Sequence, residues 1–187
     1  MILALCLLST AGLCAPGAPA KSRQEAPVRG IPNFRVVTPG VYRGGQPTAE
    51  GWAYLKSKGV KTVVMLHLPS EGTDEEAAKL GMTVVDASGP PSDLGNILGA
   101  PKPERIRLAV ETLQNESLWP VYVHCLHGQD RTGLIVGIFR VLHDHYTKEM
   151  AYKEMRANKF HPALHGLHEI WERFDGKTLP SSPGRGN

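Results

Sequence analysis

Cysteine is nearly absent from this sequence. Of the three it contains, Cys6 and Cys14 fall in an apolar opening segment, and only Cys125 lies beyond it. With that opening removed, one thiol can close no internal disulfide, and neither a four-cysteine nor a two-cysteine, two-histidine zinc site can be assembled. Blocks of consecutive Lys or Arg are also missing, and the formal net charge is only +3. Nothing therefore marks a nucleic-acid partner or an electrostatic membrane anchor, and the charge supports no more than a mild preference for anionic ligands. No internal repeat is visible. The opening MILALCLLSTAGLCAPGAPA carries no charge, not even the basic residue usual near the start of a leader. Its apolar run from Ile2 to Leu8 is broken by Ser, Thr, Gly and Pro well short of the ~20 residues that a bilayer requires. Residues 1–20 read as a signal peptide ending at Ala18-Pro19-Ala20, and Leu13 argues against lipid attachment at Cys14. An exported, periplasmic or secreted chain with no stable membrane insertion after cleavage is the expectation.

What remains is enough for one well-packed domain and too little for two. Residues 21–33 are polar and rich in Pro and Gly, a linker, and residues 176–187 are a flexible tail. Between them, 34–175 alternates strand and helix signals. Val41 to Arg43 is a short strand. Thr48 can cap a helix to Lys58, closed by Gly59. Val60 to His67 is a strand, and Thr73-Asp74-Glu75-Glu76 has capping-box form ahead of a short helix ended by Gly81. Met82 to Ala87 is the next strand, Ser88 to Pro101 a loop, and Pro103 opens a helix to Asn115. Helices follow at Lys148–Asn158 and Ala163–Phe174. This order predicts an α/β fold, a central, mainly parallel sheet flanked by helices.

The stretch VYVHCLHGQDRTG carries the chemistry. Val121-Tyr122-Val123 reads as a buried strand and Thr132 to Val141 as a buried helix, so Cys125 stands where a strand ends and a helix begins. Ligands of such sheets gather at the carboxyl ends of strands. The loop Leu126, His127, Gly128, Gln129, Asp130, Arg131 can turn its backbone N–H groups onto one tetrahedral anion, with the positive end of the helix aimed at the same point. Gly128 permits close approach. The same field favours the thiolate, the nucleophilic form of Cys125. Arg131 adds a planar fork that grips two phosphoryl oxygens. A lone cysteine is otherwise a small buried hydrophobe, and these neighbours argue for more.

His124-Cys125, five intervening residues, then Arg131-Thr132 resembles the signature of the cysteine-dependent protein tyrosine phosphatase superfamily. The domain resembles its dual-specificity branch, in bacterial and atypical form, and VYRGGQP, KTVVMLHL and AYKEMRANKF extend the likeness over about residues 34–174. The resemblance implies a phosphomonoester hydrolase without cofactor or metal. In it Cys125 attacks phosphorus to form a phosphocysteine, Arg131 binds the phosphoryl group, the Thr132 hydroxyl assists the thiolate as leaving group, and His124 orients the loop. The departing oxygen needs an acid, which in that family is an aspartate about thirty residues before the cysteine. Asp93, in SGPPSDLGN, has that spacing. No WPD sequence accompanies it, and Asp86 and Asp130 stay open as alternatives. Asp130 is one because Cys-x-x-Gly-x-Asp-Arg resembles some phosphoinositide phosphatases.

Substrates implied are phosphotyrosine proteins or inositol phosphates and phosphoinositides. CLHGQDRTG also resembles RNA 5'-triphosphatases, from whose substrate a leader would separate this chain. A phosphate-binding module without turnover is the other alternative, and the presence of both Cys125 and Arg131 argues against it. Of the remaining polar residues, His127 and Gln129 project from the loop toward a leaving group, and His67 at a strand end lines the pocket or packs. Arg43, Lys102, Arg105 and Lys159 are candidates to meet extra phosphates or are ordinary solvated cations. His161, His165 and His168 have helical spacing, but no Asp or Cys completes a metal site. Trp52, Trp119 and Trp171 read as packing residues.

Overall fold

The computed structural model describes residues 27–88 and 101–180. The expected leader, Asp93 with most of its loop, and the end of the expected tail lie outside them. Five short strands form one sheet: β1 (Arg35–Thr38), β2 (Val41–Gly44), β3 (Thr62–Met65), β4 (Thr83–Asp86) and β5 (Val121–His124). Their order is β1-β2-β5-β3-β4, with only the β1–β2 pair antiparallel. The expected mainly parallel sheet is therefore what forms. The β1–β2 hairpin at its edge was absent from the sequence expectation, because Arg35-Val36-Val37-Thr38 is only four residues long and its alternation is too brief to register.

Side chains of successive strand residues leave opposite faces of the sheet. Val121 and Val123 enter one apolar cluster while Tyr122 enters the other, and β3 divides in the same way between Val64 and Val63. Both faces are covered, as a parallel sheet requires. Helices α1 (Ala49–Ser57) and α2 (Glu75–Lys79) bring Trp52, Leu55 and Ala77 to one face. Helices α3 (Pro103–Gln114), α4 (Asp130–Leu142), α5 (Lys148–Ala157) and α6 (His165–Arg173) cover the other, with Trp171 and Met155 in its core. Thr48 caps α1 by accepting from Gly51 N–H, and Pro103 opens α3, both as the sequence indicates. None of the helices described is long and apolar enough to cross a membrane.

Two local expectations fail for physical reasons. The packed domain includes part of the segment read as a linker: Ile31 is 3% exposed and Asn33 bonds into the loop after β5. The capping box at Thr73–Glu76 does not form. Asp74 holds the N-cap position of α2 but makes no capping hydrogen bond, because its carboxylate is taken by two buried histidines.

Candidate active site

Strand β5 is central and fully buried, and it delivers Cys125 to its carboxyl end at 3% exposure. The chain then turns through Leu126–Gln129 and enters α4 at Asp130, two residues earlier than expected, so Arg131 stands in the first helical turn. Gly128 has φ +68°, and a Cβ there would collide with the Gly44 carbonyl. Only glycine allows this loop to lie against the Gly44-Gly45 turn after β2.

Arg131 is pinned at one end. Its Nη1 and Nη2 donate to Oε2 and Oε1 of Glu71 at 2.6 and 2.8 Å, and Nη1 also reaches Leu66 O at 3.1 Å. Glu71 closes a short 3-10 turn, Pro69–Glu71, and is itself fixed by Leu68 N–H at 2.8 Å. The hydrogen bonds from Arg131 hold the Glu71 carboxyl below its usual range despite partial burial. This bidentate pair occupies the Nη1–Nη2 edge of the guanidinium, and no hydrogen bond from Nε is seen among the described residues. Nothing in the sequence singled out Glu71; its partner is 60 residues away in the chain.

Behind Cys125 lies a second polar cluster. His124 Nε2 donates to Asp74 Oδ2 at 2.9 Å, and His67 Nε2 approaches Asp74 Oδ1 at 3.4 Å. Both histidines are fully buried and Asp74 is 5% exposed. His67 Nδ1 faces Leu68 O at 2.8 Å, so both its ring nitrogens meet acceptors and the imidazolium satisfies both. Burial opposes that charge, yet the bonds to Asp74 and Leu68, with the fields of Asp74 and Glu71, raise His67 above its ordinary value. For His124 burial prevails over Asp74 and lowers it, and its Nδ1 has no hydrogen-bond partner among the described residues. Asp74 is also penalised by burial, but its bonds to His124 and His67 hold it well below the carboxylate range. His67 therefore packs beneath the site rather than lining it. These three residues have metal-ligand chemistry and proximity, and direct N–H to carboxylate hydrogen bonds already join them.

The stability consequences differ in sign. Asp74, depressed in the fold, stabilises above its unfolded value of about 3.9, a contribution lost as pH falls. His67, raised, stabilises below about 6.5 and loses this as pH rises, whereas lowered His124 costs stability below about 6.5. Below about 6.5 the two imidazoles act in opposite directions, and at lower pH the Asp74 contribution is lost. Asp74→Asn, which strands a buried imidazolium, is expected to cost about 3–5 kcal/mol in urea denaturation at neutral pH. A loss below about 1 kcal/mol would show that His67 is neutral in the fold.

The other expected site residues are dispersed. Asp86 accepts from the N–H and hydroxyl of Ser88 in a local turn at the end of β4. Asp130 accepts from His161 N–H at 2.7 Å and faces His161 Nδ1 at 3.0 Å. His161 lies before α6, so the histidine set has no common helix: His168 instead pairs with Tyr152 and Glu172. Arg43 is no solvated cation, being 1% exposed and bonded to Gly128 O. Thr132 is fully buried and its hydroxyl has no partner among the described residues. Arg105 donates to Asp86 O and shares a small recess with Arg131, Leu66 and Ala87.

The model of the tyrosine phosphatase family matches residues 30–161, and the chain belongs to that family. It is 31% identical over 153 residues to the dual specificity protein phosphatase TpbA of Pseudomonas aeruginosa (strain UCBPP-PA14), covering 82% of this chain and 65% of that protein. It is 33% identical over 116 residues to the inositol diphosphatase DSP2 of Oryza sativa subsp. japonica, covering 59% of this chain and 54% of that protein. The chain thus spans less than two thirds of these relatives. The crystal structure of P. aeruginosa TpbA superposes with a TM-score of 0.67 at 23% identity, over 85% of this chain and 94% of that one. The core catalytic domain of SIW14 from S. cerevisiae, in complex with citrate, gives 0.64 at 21%, over 80% and 89%. These two establish the fold.

Proposed function

We propose that the chain is a phosphomonoester hydrolase that works through a phosphocysteine on Cys125. The observation that carries this reading is the meeting, at the carboxyl end of β5, of a buried thiol, a helix N-terminus and an arginine pinned along one edge. The Cys125 thiolate attacks phosphorus, forming the S–P bond as the ester P–O bond breaks. Arg131 and the loop N–H groups hold the phosphoryl oxygens, whose charge they neutralise as it shifts. An acid protonates the departing oxygen, and its conjugate base then takes a proton from water, whose oxygen displaces the thiolate. Thr132, with a buried hydroxyl, donates to that leaving sulfur.

Asp93 is the proposed acid. Asp86 and Asp130 are already engaged by Ser88 and His161, which supports the assignment. Asp93→Asn should cost roughly 10²–10⁴-fold on an alkyl phosphate, whose leaving group needs the proton, and much less on p-nitrophenyl phosphate. The same leaving-group dependence in Asp130→Asn, with Asp93→Asn like wild type, would move the role to Asp130.

Phosphotyrosine proteins and inositol phosphates are the substrates proposed, in line with the activities that name the relatives. Arg105 beside Arg131 supports a substrate that carries a second phosphate. A phosphate-release screen over phosphopeptides, phosphoinositides and inositol phosphates tests this, and turnover confined to RNA 5'-triphosphates would contradict it. Export is proposed from the uncharged apolar opening: in a bacterial host the chain should begin near Lys21, and a cytoplasmic form that retains Met1 would refute it.

A further inference from the structure

Two carbonyls of the loop after Cys125 are turned backwards and gripped. Leu126 O accepts from Gln46 N–H at 3.0 Å. Gly128 O accepts from two side chains, Asn33 Nδ2 and Arg43 Nη2, each at 2.8 Å. In a planar trans peptide the C=O and the following N–H point in opposite directions. Pulling Leu126 O and Gly128 O toward β2 therefore drives the N–H groups of His127 and Gln129 to the other side, into the cradle.

Neither side chain is placed by chance. Arg43 pairs with Val123 in the β2–β5 ladder, which sets its guanidinium under the loop. It is 1% exposed, and its Nε and Nη1 have no partner among the described residues. A buried cation with a single hydrogen bond is costly unless negative charge faces it. Burial lowers Arg43 to about 10, opposed by the fields of Glu154 and Cys125, so it stays charged near neutrality. Asn33 has φ +52°, a left-handed conformation that asparagine tolerates. From it the amide also reaches Asn158 O, at the C-cap of α5, at 3.3 Å.

We infer that Asn33 and Arg43 form a clamp on the Gly128 carbonyl that holds the phosphate loop open to an anion before any ligand arrives. They are positioning residues, acting through the loop amides. Without the clamp the Gly128 peptide can rotate and present an oxygen, not an N–H, to the phosphoryl group. The inference rests on the proposed phosphate-binding role of the loop, and its test separates the two.

Tungstate, a tetrahedral oxyanion, is titrated calorimetrically into wild type, Asn33→Gly and Arg43→Met, with urea midpoints and p-nitrophenyl phosphate kinetics measured alongside. Asn33→Gly keeps the left-handed backbone free of strain and removes only the donor. Tungstate affinity should fall about 5–10-fold in Asn33→Gly and about 10–100-fold in Arg43→Met, one neutral and one charge-assisted hydrogen bond respectively. KM should rise in parallel, kcat should change less, and the urea midpoint of Asn33→Gly should stay near wild type. Unchanged tungstate affinity in both variants, with or without a lowered urea midpoint, would overturn the clamp. Wild type that binds tungstate without turnover would refute the catalytic reading and leave the clamp measurable by titration; wild type that binds no tungstate would refute both.

Discussion

Cys125→Ser is expected to lose on the order of 10⁶-fold in kcat, the scale of a nucleophile knock-out, while tungstate affinity stays within a few-fold of wild type. The two halves of this result have different causes. Serine's hydroxyl cannot ionise in the cradle as a thiol can, so attack on phosphorus fails. Binding survives because the loop amides, the start of α4 and Arg131 do not depend on sulfur. Their supports, Glu71 for Arg131 and Asn33, Arg43 and Gln46 for the loop, lie on other parts of the chain. Turnover by the serine variant near the wild-type rate would remove Cys125 from the mechanism.

Arg131→Lys should also be strongly damaging although it preserves charge. Lysine is a point charge, without a fork to span two phosphoryl oxygens. It also cannot reproduce the bidentate pair, so Glu71 is left with a carboxylate oxygen short of a donor beside the cradle. A loss of roughly 10²–10³-fold in kcat/KM is expected, comparable to deleting one preorganised donor from an oxyanion site. Steady-state kinetics on p-nitrophenyl phosphate measure it. A loss under about threefold would mean that the loop amides alone bind the phosphoryl group, since a gripping fork is worth well over 1 kcal/mol.

Much of this was legible in the sequence, and the reason is locality. Cys125, Gly128, Arg131 and Thr132 share one loop and one helix start, so spacing alone sets their geometry. The β-α alternation is likewise a local signal and gave the parallel sheet. What escaped notice joins distant parts of the chain. Glu71 looks like any acidic residue in a turn, and Arg43 like a surface cation, until the Pro69–Glu71 turn brings the first to Arg131 and the β2–β5 pairing brings the second to Gly128. The capping-box pattern of Thr73–Glu76 points to Thr73 as the cap, whereas Asp74 takes the N-cap position and makes no capping hydrogen bond. Two buried histidines, 7 and 50 residues away, outbid the helix for its carboxylate. The Pro and Gly around Asn33 have the composition of a linker and give no sign of its bond across 95 residues to Gly128.

The measurement that bears most directly on the central claim is capture of the covalent intermediate. Thr132→Ala, which should slow release of the thiolate, is mixed with substrate carrying a labelled phosphoryl group, quenched in denaturant within a single turnover, and digested. A burst of leaving group matching the enzyme concentration is expected, with the label on the peptide that contains Cys125. Turnover without a burst, or label on any other residue, would contradict it.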